Sequence, residues 1–406
     1  MNKPAYFDYM ATTPMDPAVI KLMQKAMGLE SDFGNPASTT HAYGFAAKEW
    51  VDRARYQMAE VLSCEANELV WTSGATESNN LALQGAAQFY GRRAKHLITL
   101  ATEHKAVLDV MEYLSTQGFR VTYLRPLSNG LIDLAALEAA MTDETILVSV
   151  MWVNNETGVV QPIDEIGRIV KKRGALLHVD AAQAVGKIPI NLRQSSIDLA
   201  SFSAHKVYGP KGIGALYVRQ QPRVRLQPLL YGGGHEQGLR SGTLAVHQII
   251  GMAEAFRLAH VNLSAELARI TAYRDHIAQG LEKLGGVNFT VSDPSIRVPH
   301  CLNIEVAGVD GESLILGLDQ IALSSGSACN SANPEPSHVL LAMGMTRIAA
   351  QNSVRISLGR YTTEADCTLL LAQFERELTR LRKLSPIWER VKQNLSEEAG
   401  GADEEL

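Results

Sequence analysis

Cysteine is scarce in this sequence, and the four present (Cys64, Cys301, Cys329 and Cys367) are far apart. None forms a C-x-x-C pair, which excludes a disulfide framework and a zinc-binding pattern and points to free thiols in a reducing compartment. Long apolar runs are missing as well. The longest, ILVSVMWV at 146–153, is far short of the roughly 20 residues that cross a bilayer. There is no excess of positive charge: the net charge of −5 argues against a nucleic-acid surface as the main function. The start, MNKPAYFDYMATTP, has no apolar core and carries Asp8 early, unlike a secretory signal. These absences together predict a cytoplasmic protein with no membrane contact and no direct nucleic-acid partner.

What is present suits a large soluble enzyme. At roughly 150 residues per domain, 406 residues suggest two or three domains, and 46% hydrophobic residues supply a sizeable core. From residue 16 to 262, short β-branched runs (96–102, 119–126, 146–153, 175–182, 197–204 and 212–218) alternate with helical patterns such as 106–118 and 163–174. Strand, helix, strand in repetition predicts an α/β fold: a large domain with a mainly parallel sheet flanked by helices. Near residue 262 the texture changes. An amphipathic helix over 264–284 leads to strand-like VNFTVS, CLNIEVAG and VRISLG and to helices at 311–318 and about 363–384. Residues 1–15 and 263–392 are therefore expected to form a smaller α+β domain, and the acidic tail 393–406 to be disordered.

Ligands in open α/β sheets bind beyond the carboxyl ends of the strands, so the residues that follow each strand matter most. After ELVWT comes Ser73-Gly74-Ala75-Thr76-Glu77 opening a helix, an arrangement that suits a phosphate group. Taken alone it is also an ordinary turn and cap. Other strands are followed by Glu103 and His104, by Asn154 to Thr157, by Asp180 to Gln183, and by Ser203, Ala204, His205 and Lys206. A single polar residue there is usually a loop residue, but four such ends converge on one ligand. The set meets the needs of pyridoxal 5′-phosphate: a lysine for the aldehyde, a carboxylate for the pyridine nitrogen, a donor for the 3′-oxygen and a flat partner for the ring. Lys206, Asp180, Gln183 or Asn155, and His104 fit those roles. Lys211, inside a Gly/Pro turn, ranks below Lys206.

Further along, Ser324-Ser325-Gly326-Ser327-Ala328-Cys329-Asn330-Ser331-Ala332 contains no bulky apolar residue and no helical period. Residues of about 324–337 read as an exposed loop, and a thiol in such a place is unusual. From composition alone Cys329 is either an incidental surface thiol or a nucleophile that swings between a cofactor and an acceptor. Cys64, Cys301 and Cys367 read as structural.

Long motifs now identify a family. ATTP (11–14), GNPAS (34–38), TSGATESNN (72–80), TEHKAV (102–107), NNETG (154–158), HVDAAQ (178–183), SFSAHKVYGPKG (201–212), GGGHEQGLRSGT (232–243), SSGSACNSA (324–332) and VRISLGR (354–360) resemble the IscS/NifS-type cysteine desulfurases, which are fold-type-I pyridoxal-phosphate enzymes. SPIWE at 385–389 favours the housekeeping iron–sulfur cluster assembly branch.

The resemblance implies a conversion of L-cysteine to L-alanine with the sulfur held on Cys329 as a persulfide. It implies Lys206 as Schiff-base lysine and proton carrier, Asp180 on the pyridinium, Gln183 on the 3′-oxygen, Asn155 in support and His104 stacked on the ring. Ala75, Thr76, Ser203 and His205 would hold the phosphate, with Thr243 reaching it from the other subunit of a homodimer. Arg355, assisted by Asn35, would clamp the substrate carboxylate. An iron–sulfur scaffold protein and sulfur-carrier or tRNA-thiolation proteins would take the sulfur. No metal is expected in the cofactor site, with Cys329 as a transient cluster ligand beside a scaffold partner. The group that deprotonates Cys329 stays open. The rival reading is a selenocysteine lyase or another enzyme on the same cofactor and fold.

Overall fold

A computed structural model describes residues 3–325, 335–386, 388–390 and 392–393. Cys329 and the acidic tail from 394 onward lie outside the described residues. In chain order the strands are β1 (Ala5–Tyr6), β2 (Leu69–Thr72), β3 (His96–Leu100), β4 (Arg120–Leu124), β5 (Thr145–Met151), β6 (Leu176–Asp180) and β7 (Leu199–Ser203). They continue with β8 (Gly214–Val218), β9 (Val287–Phe289), β10 (Cys301–Val306), β11 (Ile321–Ala322), β12 (Ser324–Ser325) and β13 (Ser353–Ser357).

Seven strands form the main sheet in the order β2-β8-β7-β6-β5-β3-β4. The pairs from β7 through β4 are parallel, and only β8 runs against its neighbours. The mainly parallel sheet expected from the sequence is thus present. Its strands read as unbroken apolar runs because helices cover both faces; every residue of β5 is buried. The two histidines inside strands sit among hydroxyls. His178 bridges Ser149 Oγ at 2.8 Å and Ser201 Oγ at 3.0 Å, joining β5, β6 and β7. Burial pushes its pKa down to about 3, so the bridge is neutral.

Helix Ile163–Lys172 shows why the crossovers are helical. Ile163, Ile166, Gly167 and Val170 recur on one face and are buried, Asp164 and Glu165 open it, and Lys171 and Lys172 close it. The positive φ of Gly174 ends it.

A four-stranded sheet, β12-β13-β10-β9, is antiparallel throughout, and β1 pairs with β11 beside it. The helix expected over 264–284 is longer: it runs Val246–Glu282 without interruption, about 55 Å at 1.5 Å per residue. Its first half packs Ile249, Ile250 and Phe256 into the core of the main sheet, while Ile270, Ile277 and Leu281 enter the core of the second. The textural change near 262 therefore falls inside one helix, where the buried face passes from one core to the other.

Candidate active site

Because β3, β5, β6 and β7 are parallel, their carboxyl ends lie along one edge. A cavity of about 640 Å³ opens there. It is lined by Ala75, Thr76, His104, Asn155, Asp180, Gln183, Ser203, His205, Lys206 and Arg355, together with Lys211. The size is usual for a small-molecule site.

Asp180 is the last residue of β6 and is buried. Its Oδ2 accepts from Asn79 Nδ2 at 2.8 Å and its Oδ1 from the Ala182 amide at 3.0 Å. Lys206 closes a short 3-10 turn that follows β7, and its Nζ donates to the carbonyls of Met10 (2.9 Å) and Ala11 (2.7 Å). Gln183 Nε2 donates to the same Met10 carbonyl at 2.8 Å.

Helix Ala75–Tyr90 begins after β2 at Gly74, whose φ of 155° favours glycine, and no side chain caps it. Its first-turn amides therefore face the cavity without the usual side-chain acceptor. Gly214 of β8 lets this turn come close: a Cβ there would lie 2.5 Å from the Phe202 carbonyl oxygen and 2.6 Å from Gly74 Cα. His205 Nδ1 lies 3.0 Å from Thr12 Oγ1, and burial, helped by Lys206, Lys211 and Lys187, pushes its pKa down to about 4.

His104 caps helix Lys105–Thr116, its Nδ1 accepting from the Ala106 amide at 3.0 Å. That bond places the ring proton on Nε2, and burial lowers the pKa, so the imidazole is neutral. Glu103 is buried beneath it, with Oε1 accepting from the Met151 amide at 2.8 Å; burial, with Asp180 adding to it, holds this carboxyl well above the usual range. Glu156, also buried, contacts Ser337 Oγ, and burial raises its pKa to about 7.

Arg355 projects from β13 and is buried. Its Nη1 donates to the Asn155 carbonyl at 2.7 Å, and its Nη2 to Asp8 Oδ1 at 2.8 Å and Ser324 Oγ at 2.9 Å. Two sequence-predicted residues stand elsewhere. Asn35 is exposed, its Oδ1 accepting from the Ala37 amide, and Thr243 is exposed; neither lines the cavity. Cys64, Cys301 and Cys367 are buried, and burial raises their thiol pKa values to about 12, 11 and 11. Asn79, Asp8, Glu103 and Glu156 go unassigned in the sequence reading. Asn79 carried a signal, lying one helical turn after Ala75 and Thr76 on the same helix.

A family model described as aminotransferase class-V matches residues 5–370. The chain belongs to that family. Within it, the chain is 53% identical over 395 residues to a cysteine desulfurase IscS of Klebsiella pneumoniae subsp. pneumoniae, covering 97% of this chain and 98% of the relative. A cysteine desulfurase IscS of Pectobacterium carotovorum subsp. carotovorum is 52% identical over the same length and shares. Among solved structures, a NifS-like protein superposes with a TM-score of 0.87 at 39% identity, covering 93% of this chain and 100% of the other. A structure of SspA in complex with cysteine gives a TM-score of 0.78 at 35% identity, covering 88% and 100%. This class-V aminotransferase is of the IscS/NifS desulfurase type, and the cofactor of that type is pyridoxal 5′-phosphate.

The residues present fit that group. The cavity joins an uncapped helix start for a phosphate, a lysine for an aldehyde and a hydrogen-bonded buried carboxylate for a ring nitrogen. Gln183 Oε1 is buried and has no partner among the described residues, as expected of an atom awaiting a polar ligand.

Proposed function

We propose that this chain is a cysteine desulfurase, taking L-cysteine to L-alanine and passing the sulfur to Cys329 as a persulfide. The observation that carries the reading is the pairing of Asp180 and Lys206 at neighbouring strand ends in one cavity with the uncapped helix start at Gly74. When bound, pyridoxal 5′-phosphate supplies an aldehyde that captures the substrate amine and a protonated ring that draws electrons from the substrate Cα.

The chain's own residues do the rest. The amides of Ala75 and Thr76, with Ser203 and His205, hold the phosphate. Asp180, fixed by Asn79 and Ala182, is the carboxylate that would pair with the ring nitrogen. Gln183 and Asn155 support the cofactor's polar edge, and His104 presents a neutral ring to its face. Lys206 takes up the α-proton, Arg355 with Asn35 orients the substrate carboxylate, and His104 offers Nε2–H as a hydrogen-bond donor. The Cys329 thiol gains one sulfur atom and becomes a persulfide, while the substrate carbon skeleton leaves as alanine.

The reading includes a homodimer in which Thr243 serves the partner's phosphate site; the exposure of Thr243 accords with this. It also includes two domains, 16–262 and 1–15 with 263–392, and delivery of sulfur to an iron–sulfur scaffold or to sulfur carriers in the cytoplasm. No helix among the described residues is long and apolar enough to cross a membrane.

The test is alanine formation from L-cysteine by wild type and by Lys206→Ala. The variant should lose the yellow absorbance of the bound cofactor and about a thousandfold or more in rate. Undiminished alanine formation by Lys206→Ala would reject the reading.

A further inference from the structure

Arg355 is committed before any substrate arrives. A guanidinium has five N–H donors, one on Nε and two on each Nη. Here Nη1 gives one to the Asn155 carbonyl, and Nη2 donates to both Asp8 Oδ1 and Ser324 Oγ. Ser324 Oγ in turn donates to Asp8 Oδ1 at 3.0 Å, so Nη2, the carboxylate and the hydroxyl form a closed triangle. The donors left over are Nε–H, buried and without a partner among the described residues, and one N–H on Nη1.

Those two donors do not share an edge. A carboxylate takes two parallel bonds from a guanidinium along its end, through Nη1 and Nη2, or along its side, through Nε and Nη2. Both edges use Nη2. A substrate carboxylate that makes a two-point contact therefore competes at Nη2 with Asp8 and Ser324. The orphaned Nε–H shows where the second bond of a side-on clamp would fall.

We propose that Asp8 is an internal stand-in for the substrate carboxylate: it occupies the Arg355 fork in the resting protein and is exchanged for the α-carboxylate of the substrate. The inference rests on the reading of Arg355 as the carboxylate clamp and adds Asp8 as a residue that sets substrate affinity. Asp8 neutralises a buried guanidinium that would otherwise stand unpaired, at the cost of competing with the ligand. It also filters ligands: an amine without a carboxylate has nothing with which to displace it. The exchange loosens Ser324 at the same time, because the hydroxyl shares both partners of the triangle.

The experiment titrates the holoenzyme with L-alanine, which binds without sulfur transfer, and follows the cofactor absorbance. Wild type is compared with Asp8→Asn, Ser324→Ala, Arg355→Lys and the Asp8→Asn/Arg355→Lys pair. Asp8→Asn keeps the shape and removes the competing charge, so the Kd for L-alanine should fall about tenfold, the scale of one charge-assisted hydrogen bond. The gain should vanish in the Arg355→Lys background. Ser324→Ala, which frees one Nη2 donor without touching Asp8, should tighten binding about threefold and decides the matter if Asp8→Asn does not fold. An unchanged or raised Kd in Asp8→Asn, with Arg355→Lys clearly weakened, would overturn the exchange and leave the clamp intact. An unchanged Kd in Arg355→Lys would overturn the clamp itself.

Discussion

Asn79 offers the sharpest way to test how the cavity holds its carboxylate. It is 1% exposed, and its Nδ2 donates to Asp180 Oδ2 at 2.8 Å, one of two hydrogen bonds that fix this carboxylate. In Asn79→Ala, Asp180 keeps only the Ala182 amide. A buried hydrogen bond to a charged group contributes about 2 kcal/mol, which corresponds to about thirtyfold in a dissociation constant. The cost to the fold itself should be small, because Asn79 Oδ1 is buried with no partner among the described residues and its removal offsets part of the loss. Pyridoxal 5′-phosphate titrated into the apoenzyme should thus bind about thirtyfold more weakly, while the apoenzyme melts within a few degrees of wild type. Cofactor affinity within twofold of wild type would refute the argument that Asp180 depends on Asn79.

Two further outcomes follow from the same geometry. Gly214→Ala places a Cβ within 2.6 Å of backbone atoms of Phe202 and Gly74 that cannot step aside, so it should destabilise the fold by about 1–3 kcal/mol in urea and weaken cofactor binding through the displaced helix start; wild-type behaviour on both counts would contradict the close packing. Glu156 has a pKa raised from 4.5 to about 7 by burial, so its contribution to stability is complete below about pH 4.5 and is lost as pH rises through about 7. Between pH 5 and pH 8, wild type should therefore lose stability relative to Glu156→Gln, by on the order of 3 kcal/mol at most, in urea unfolding at the two pH values; a constant difference would place the carboxyl in its ordinary range.

The meeting of the strand-end residues in one cavity was legible in the sequence because of how parallel sheets are built. Each buried strand is an apolar run, and the polar residues after it fall on one edge without any knowledge of side-chain contacts. His104, Asn155, Asp180 and Lys206 meet in one cavity for that reason. What the pattern hid was packing between distant segments. The first half of helix Val246–Glu282 is rich in small residues and buried on several sides, so it shows no clean amphipathic stripe before residue 262. The reversal of β8 is invisible because a buried antiparallel strand reads like its parallel neighbours. The hold of Asp8 on Arg355 joins residues 347 positions apart, and neither neighbourhood hints at the other. Thr243 and Asn35 rest on resemblance alone, since within one chain neither lines the cavity.

The most direct test of the central claim is mass spectrometry of the Cys329 peptide after brief incubation with L-cysteine and no reductant. An added sulfur of about 32 Da is expected on Cys329 in wild type and none in Lys206→Ala. An unmodified Cys329 in a cofactor-loaded protein that still releases alanine would contradict it.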